Sequence, residues 1–124
     1  MENIDDMIKI SENKYNITYD PDNAILVFSG SLLLNSATEY EPILQLLKDS
    51  ADSQEPNKLD IDLYNLSFMN SSGLNMITKF IMYFNEVKQY KLQLSIIINK
   101  NILWQKKLFI NMKKLLSSLN VKYE

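Results

Sequence analysis

The sequence predicts one α/β domain: a mixed sheet of four to five strands, an N-terminal hairpin, and about three to four helices packed against the sheet. Three observations predict this class. Strand-like and helix-like periodicities alternate along the chain, turn residues separate them, and one late segment is almost entirely apolar. The 124 residues suit a single domain, in which residues 1–12 are expected to form a flexible N-terminal segment.

Composition limits the classes of function. Cysteine and histidine are both absent, which excludes thiol nucleophiles, cysteine-ligated metals and Ser-His-Asp triads. All 13 basic residues are lysines, which makes nucleotide binding less favoured, and a net charge of −2 argues against nucleic-acid binding. No apolar run is long enough to span a bilayer, and residues 1–12 are acidic where a secretory signal would be basic. We therefore expect a cytoplasmic protein without metal or cofactor.

The first predicted elements form the hairpin. Residues 14–19 alternate apolar and polar positions, the pattern of a half-buried strand. Turn residues occupy 20–23, and residues 24–28 read as the returning strand, with Gly30 and Ser31 closing the hairpin.

The first helix has two candidate N-caps. Ser36 with Glu39, and Thr38 with Glu41, are each spaced as a capping box. Thr38 is preferred, because a cap there leaves Pro42 close to the first turn, where a missing amide hydrogen costs least.

The remaining elements follow from periodicity. An apolar stripe continues the first helix, and a polar stretch with a proline predicts a surface loop. In order, the predictions are a loop at 49–57, a strand at 58–64, a helix at 72–88, a buried strand at 92–98, a helix at 102–116 and a short strand at 121–123.

Charge is unevenly distributed along the chain. Residues 1–62 carry 4 lysines and 13 acids, giving −9, whereas residues 63–124 carry 9 lysines and 2 acids, giving +7. Two interpretations remain open: solvated faces of one domain, which we favour, or an electrostatic docking surface.

Residues 59–74, with the sequence LDIDLYNLSFMNSSGL, carry the most specific pattern. They resemble the signature of the STAS family, to which the anti-sigma-factor antagonists belong: an apolar strand, a short turn, then Phe-(Met/Ile)-Asp-Ser-(Ser/Ala)-Gly-Leu at the start of a helix. Considered alone, Ser71 and Ser72 are explained by helix capping, and Gly73 by close packing of the helix on the sheet.

The resemblance implies a STAS fold and a protein-docking function without catalysis. In antagonists of this family, the serine that matches Ser71 is phosphorylated by a partner serine kinase, which is also the anti-sigma factor, and a metal-dependent phosphatase reverses the modification. The implied function is partner switching in transcription regulation by a bacterial protein. The sequence leaves the oligomeric state open between a monomer and a weak dimer. The predicted partner-binding residues are Asn70, Ser71, Ser72, Asn75, Thr78 and Met82.

Two departures from the signature leave alternatives open. Asn70 stands where regulated members usually have Asp, and Asn75 where a small residue is common. The first departure weakens the inference of kinase recognition, and the second could alter how closely a partner approaches. The alternative is a constitutive or ligand-sensing STAS module that binds a nucleotide or small molecule without phosphorylation.

Other side chains admit enzymatic or surface-binding interpretations. Asp60 and Asp62 form a D-x-D pair on one strand face, and Ser71 with Lys79 is a formal dyad, but neither is favoured over a structural explanation. The third helix is lysine-rich beside Trp104, which is compatible with an anionic membrane, an acidic partner or a solvated face.

Overall fold

The computed structural model describes residues 8–11, 14–53, 58–87, 93–115 and 119–124. Within these ranges the elements are β1 (Ile8–Ser11), β2 (Tyr15–Asp20), β3 (Ile25–Leu32), α1 (Ala37–Ser53), β4 (Lys58–Met69), α2 (Ser71–Val87), β5 (Gln93–Ile98), α3 (Leu103–Leu115) and β6 (Asn120–Tyr123). The strands form one sheet in chain order, antiparallel from β1 to β3 and parallel from β3 to β6. The predicted α/β class with its hairpin is confirmed, although the described sheet has six strands rather than four or five.

The three helices cover one face of the sheet. The connections from β3 to β4, from β4 to β5 and from β5 to β6 each lead to the next strand on the same side in the sheet order. Because such connections are right-handed, α1, α2 and α3 all lie on one face of the sheet. Buried side chains of that face and of the helices join in a single cluster, whose largest fully buried members include Phe28, Leu47, Phe80 and Phe109. The core therefore positions the helix starts at the carboxyl end of the parallel strands.

The hairpin is longer than predicted. β3 continues to Leu32, and Gly30 lies inside this strand instead of closing the hairpin. Gly30 has φ +91°, and a Cβ there would lie 2.1 Å from the Lys14 carbonyl oxygen, so only glycine fits. Ser31 N–H donates to that oxygen at 2.8 Å, which ties the two strands together at this irregularity.

Strand β1 corrects part of the prediction for residues 1–12. Residues 8–11 pair antiparallel with residues 16–19 of β2 and form an edge of the sheet. Four residues are too few for periodicity to identify, whereas backbone pairing with β2 supplies the hydrogen bonds that define the strand. Residues 1–7 and 12 lie outside the described residues.

The N-cap of α1 is Ser36, so the preference for Thr38 was wrong. Ser36 Oγ accepts from Glu39 N–H at 3.3 Å, and Glu39 Oε1 accepts from Asn35 N–H at 2.8 Å. Pro42 therefore lies in the helix interior. Pro42 has no N–H, so the Thr38 carbonyl, four residues earlier, lacks its helical hydrogen bond. Both residues are exposed, so water can donate to that carbonyl instead.

Strand β4 extends to Met69, beyond the predicted end at residue 64. It remains paired with β3 as far as Leu32 and Met69, with two register shifts along the way. Buried Gln105 of α3 supports this irregular half, because its Nε2 donates to the carbonyls of Leu63 (2.8 Å) and Leu66 (2.7 Å). Sequence periodicity could not show this, since the donor lies about 40 residues away.

The later elements agree with prediction to within one residue where described. Helix α2 begins at Ser71 instead of Ser72, α3 begins at Leu103 instead of Ile102, and β6 begins at Asn120. All residues of β5 after Gln93 are buried, as expected for an interior strand. The predicted terminal residues 88, 92 and 116 lie outside the described ranges.

Candidate functional site

The candidate site is the turn from β4 into α2. Asn70 caps the helix, because its Oδ1 accepts from Gly73 N–H at 3.0 Å and its carbonyl accepts from Leu74 N–H at 3.0 Å. The expectation that Ser71 or Ser72 provides the cap was therefore wrong. The cap comes one residue earlier, so the serine hydroxyls are not needed for it.

Asn70 also ties the turn to two distant parts of the chain. The Tyr40 hydroxyl donates to Asn70 Oδ1 at 2.8 Å, and Asn70 Nδ2 donates to the Leu34 carbonyl at 2.7 Å. A carboxylate in this position could accept the first bond but could not donate the second. Asn70 in place of the Asp of the STAS signature thus has a local structural reason, because the Leu34 carbonyl needs a hydrogen-bond donor from this side chain.

The Tyr40 hydroxyl lies at the centre of this network. Tyr40 is almost fully buried, and this burial raises the pKa of its hydroxyl above the ordinary value of 10.0. The hydrogen bond that it accepts from the Leu34 N–H lowers that pKa by a smaller amount. The hydroxyl therefore remains protonated and keeps donating to Asn70 at neutral pH. Gly73 leaves the space for it, since a Cβ there would lie 2.9 Å from the Tyr40 hydroxyl oxygen and 2.4 Å from Met69 Cγ.

Ser71 is the first residue of α2, and its side chain is exposed. In the described part of the chain, no group hydrogen-bonds its hydroxyl. The free amides and the dipole of a helix N-terminus favour negative charge at this position. An enzyme could reach the hydroxyl, and a phosphate there would be compatible with the helix.

The other predicted partner-binding residues of α2 differ in exposure. Asn75 and Met82 are exposed and lie on the same outer stripe of α2 as Ser71, with Met82 52% exposed. Ser72 and Thr78 are half-buried, and the Thr78 hydroxyl donates to the Leu74 carbonyl at 2.9 Å.

A groove of about 240 Å³ lies between α1 and α2. Ser72, Asn75 and Thr78 line its α2 side, whereas Asn70, Ser71 and Met82 are not among its lining residues. The residues that the sequence analysis missed are on α1 and the facing turn of α2: buried Tyr40, Leu44 and Met76, with exposed Glu41 and Lys79. The apolar stripe of α1 could have indicated the buried α1 residues of this set. Only the packing of α1 on α2 shows that they line a groove.

The described part of the chain does not assemble a three-acid metal site or a Ser71–Lys79 dyad. The Asp62 carboxylate accepts from the Tyr64 N–H at 2.9 Å, and across the described residues no group of three acids is placed to hold a metal ion. Ser71 and Lys79 are eight residues apart on one helix, which separates them by about 12 Å along its axis. No helix in the described ranges is long and apolar enough to cross a membrane.

Comparison with solved structures shows the same fold. SiaC of Pseudomonas aeruginosa matches with a TM-score of 0.72 at 13% identity, covering 95% of this chain and 98% of that one. SiaC in complex with the diguanylate cyclase SiaD, of which it is the activator, matches with a TM-score of 0.71 at 13% identity, covering 94% and 99%. Apo-SiaC from the same organism gives 0.72 at 14% identity, covering 95% and 98%. A search of the curated proteins found no match.

A family model described as "SiaC family regulatory phosphoprotein" matches residues 8–100 of this chain. The match includes the hairpin, the Asn70 turn and the whole of α2. It agrees with the expected regulatory phosphoprotein, and it names a family other than STAS. The chain therefore belongs to the SiaC family of regulatory phosphoproteins.

Proposed function

We propose that this protein controls a partner protein by docking to it, and that reversible phosphorylation of Ser71 switches the docking. The observation that carries the proposal is the exposed Ser71 hydroxyl at the first position of α2, directly after a turn held by the Asn70 network. Membership of a family of regulatory phosphoproteins supports it. The protein acts in the cytoplasm by binding, without catalysis.

The phosphate acts on the surface rather than on the fold. It adds roughly two negative charges where the helix dipole favours them, so α2 stays intact. Asn75 and Met82 extend the contact surface along the same outer stripe, with Ser72 and Thr78 beside it at the groove. A charged, bulky group at one end of this surface weakens partner binding by desolvation and repulsion.

The favoured partner is a diguanylate cyclase. SiaC of Pseudomonas aeruginosa has been solved as the activator of the diguanylate cyclase SiaD, and the shared fold supports the same class of partner for this chain. A serine kinase would add the phosphate, and a metal-dependent serine phosphatase would remove it.

The second candidate is antagonism of an anti-sigma factor. The resemblance of residues 59–74 to the STAS signature favours it. The ligand-sensing alternative is less favoured, because a groove of about 240 Å³ is below the usual range of small-molecule sites, about 300–1,000 Å³.

The first experiment measures modification. The protein is purified from its native host, and intact and fragment masses are recorded with and without phosphatase treatment. We expect one phosphate, located on Ser71. Unmodified protein under several growth conditions, or phosphate confined to another residue, would refute the switch.

The second experiment measures the consequence. A diguanylate cyclase from the same organism is assayed for cyclic di-GMP synthesis with the wild-type chain, Ser71→Ala and Ser71→Glu. Ser67→Ala, at an exposed serine of β4 outside the proposed contact surface, serves as the matched hydroxyl-deletion control. We expect stimulation by wild type and Ser71→Ala, and a loss of roughly tenfold or more in apparent affinity for Ser71→Glu, because an unpaired charge in an interface costs several kcal/mol. No effect on the cyclase, together with a changed sigma-dependent reporter, would favour the second candidate.

A further inference from the structure

The outer surface of α3 forms a second candidate interface, separate from the Ser71 site. Leu103 and Ile110 are 63% and 43% exposed, although both are large apolar residues. They are seven residues apart, so they lie nearly in line along the helix. Exposed apolar residues scattered singly need no explanation, but two in register on one helix form a ridge.

Lysines flank this ridge on both sides. Lys106 and Lys113 lie three residues after the two apolar positions, and Lys107 and Lys114 lie four residues after them. Residues three and four apart are neighbours on a helix surface, so each apolar side chain has a lysine on either side. We call Leu103, Lys106, Lys107, Ile110, Lys113 and Lys114 the α3 face.

The charge of the α3 face is uncompensated on its own helix. Residues 103–115 contain four lysines and no acid, which gives +4. Lys113 donates to the Leu119 carbonyl at 2.6 Å, a neutral group that does not offset its charge. The surface is therefore both apolar and strongly positive.

The inner side of α3 is anchored to the rest of the fold. Trp104 Nε1 donates to the Ser67 carbonyl at 3.0 Å, Gln105 binds two carbonyls of β4, and Phe109 and Met112 are buried in the core. The inner side of α3 is thus fully used by the fold. The outer side of α3 does not pack against the rest of the domain, so packing does not explain its exposed apolar residues and lysines.

We propose that the α3 face docks an acidic amphipathic helix of a partner protein. Both the apolar and the basic positions repeat every seven residues over about 16 Å, the pattern by which one helix packs along another. A partner helix with apolar residues along one stripe and carboxylates on both sides would cover the ridge and pair the lysines. This proposal does not depend on phosphorylation of Ser71.

Two other occupants fit less well. Helix α1 of a second copy would offer acids, but the large exposed apolar residues of the described chain do not include any on α1. An anionic membrane would meet only two apolar side chains, and the indole N–H of Trp104 is already bonded within the fold, so little area would enter a lipid surface.

The test uses the full chain, labelled with ¹⁵N, and a synthetic three-heptad peptide with leucine at a and d and glutamate at e and g. We expect chemical-shift changes confined to α3, and binding that weakens as salt is raised. Lys107→Glu with Lys114→Glu should weaken binding at least tenfold. Lys14→Glu with Lys58→Glu, two exposed lysines outside α3, changes net charge equally and should alter binding less than twofold.

Three outcomes would overturn the proposal. They are the absence of shifts with millimolar peptide, equal weakening by the control pair, and binding to phosphatidylserine vesicles through α3 without binding to the peptide. Thermal melts of each variant accompany the titrations, and Leu103→Ser with Ile110→Ser tests the apolar ridge independently of charge. That double variant should also lose at least tenfold in affinity.

Discussion

Asn70 provides the sharpest test of the candidate site, because its side-chain amide uses both a donor and an acceptor. The change Asn70→Asp keeps the shape and the acceptor oxygen but removes Nδ2, which donates to the Leu34 carbonyl at 2.7 Å. The Tyr40 and Gly73 donors keep their partner oxygen, Oδ1. The substitution therefore isolates one hydrogen bond of the network.

The expected magnitude follows from two opposing effects. Replacing the donor by a carboxylate oxygen leaves the partly buried Leu34 carbonyl without its partner, which costs about 1–3 kcal/mol. The new negative charge at the N-terminus of α2 interacts favourably with the helix dipole and stabilises the folded state by about 0.3–1 kcal/mol. We expect Asn70→Asp to lower the free energy of unfolding by about 1–2 kcal/mol at pH 7.

The assay is urea unfolding followed by circular dichroism at pH 7. Asn75→Asp is the matched control, since it makes the same change at an exposed position of the same helix, and it should shift stability by no more than about 0.5 kcal/mol. Equal stability of Asn70→Asp and wild type at pH 7 would refute the role assigned to the Leu34 bond.

Three further predictions concern the same framework. Gly30→Ala should cost about 3 kcal/mol or more, because its Cβ would lie 2.1 Å from the Lys14 carbonyl oxygen at φ +91°; a melting temperature near wild type would contradict this. Gly73→Ala should cost about 1–2 kcal/mol in urea unfolding, since the clash with Met69 outweighs the gain in helix propensity; a stabilised variant would show that Met69 can move aside. Burial raises the pKa of Tyr40, so the contribution of its protonated hydroxyl to stability should be constant below about pH 10 and be lost as the pH rises above it. Tyr40→Phe should reduce that loss of stability, as measured by unfolding at pH 9 and 11, and an unchanged loss would assign it to other groups.

Local sequence patterns predicted most of the architecture. Alternation identified the hairpin, apolar runs identified β5, and helical spacing identified α2 and α3 to within a residue where described. The turn-and-helix pattern around Ser71 predicted a regulatory phosphoprotein, and the family match agrees. The resemblance of the same pattern to STAS depends on a strand that leads through a turn into a capped helix start with a close-packed glycine, features that this chain has.

Neighbouring residues were sufficient to specify the order of the elements and the exposure of Ser71, because both depend on side chains within a few positions. Long-range packing alone specified what holds the Asn70 side chain in place, how far β4 extends and where the groove lies. Those features depend on contacts across 30 residues between Tyr40 and Asn70, 36 between Leu34 and Asn70, and 42 between Leu63 and Gln105. Hydrophobic periodicity reports which face of an element is buried, but it carries no information about which distant polar group will meet it there.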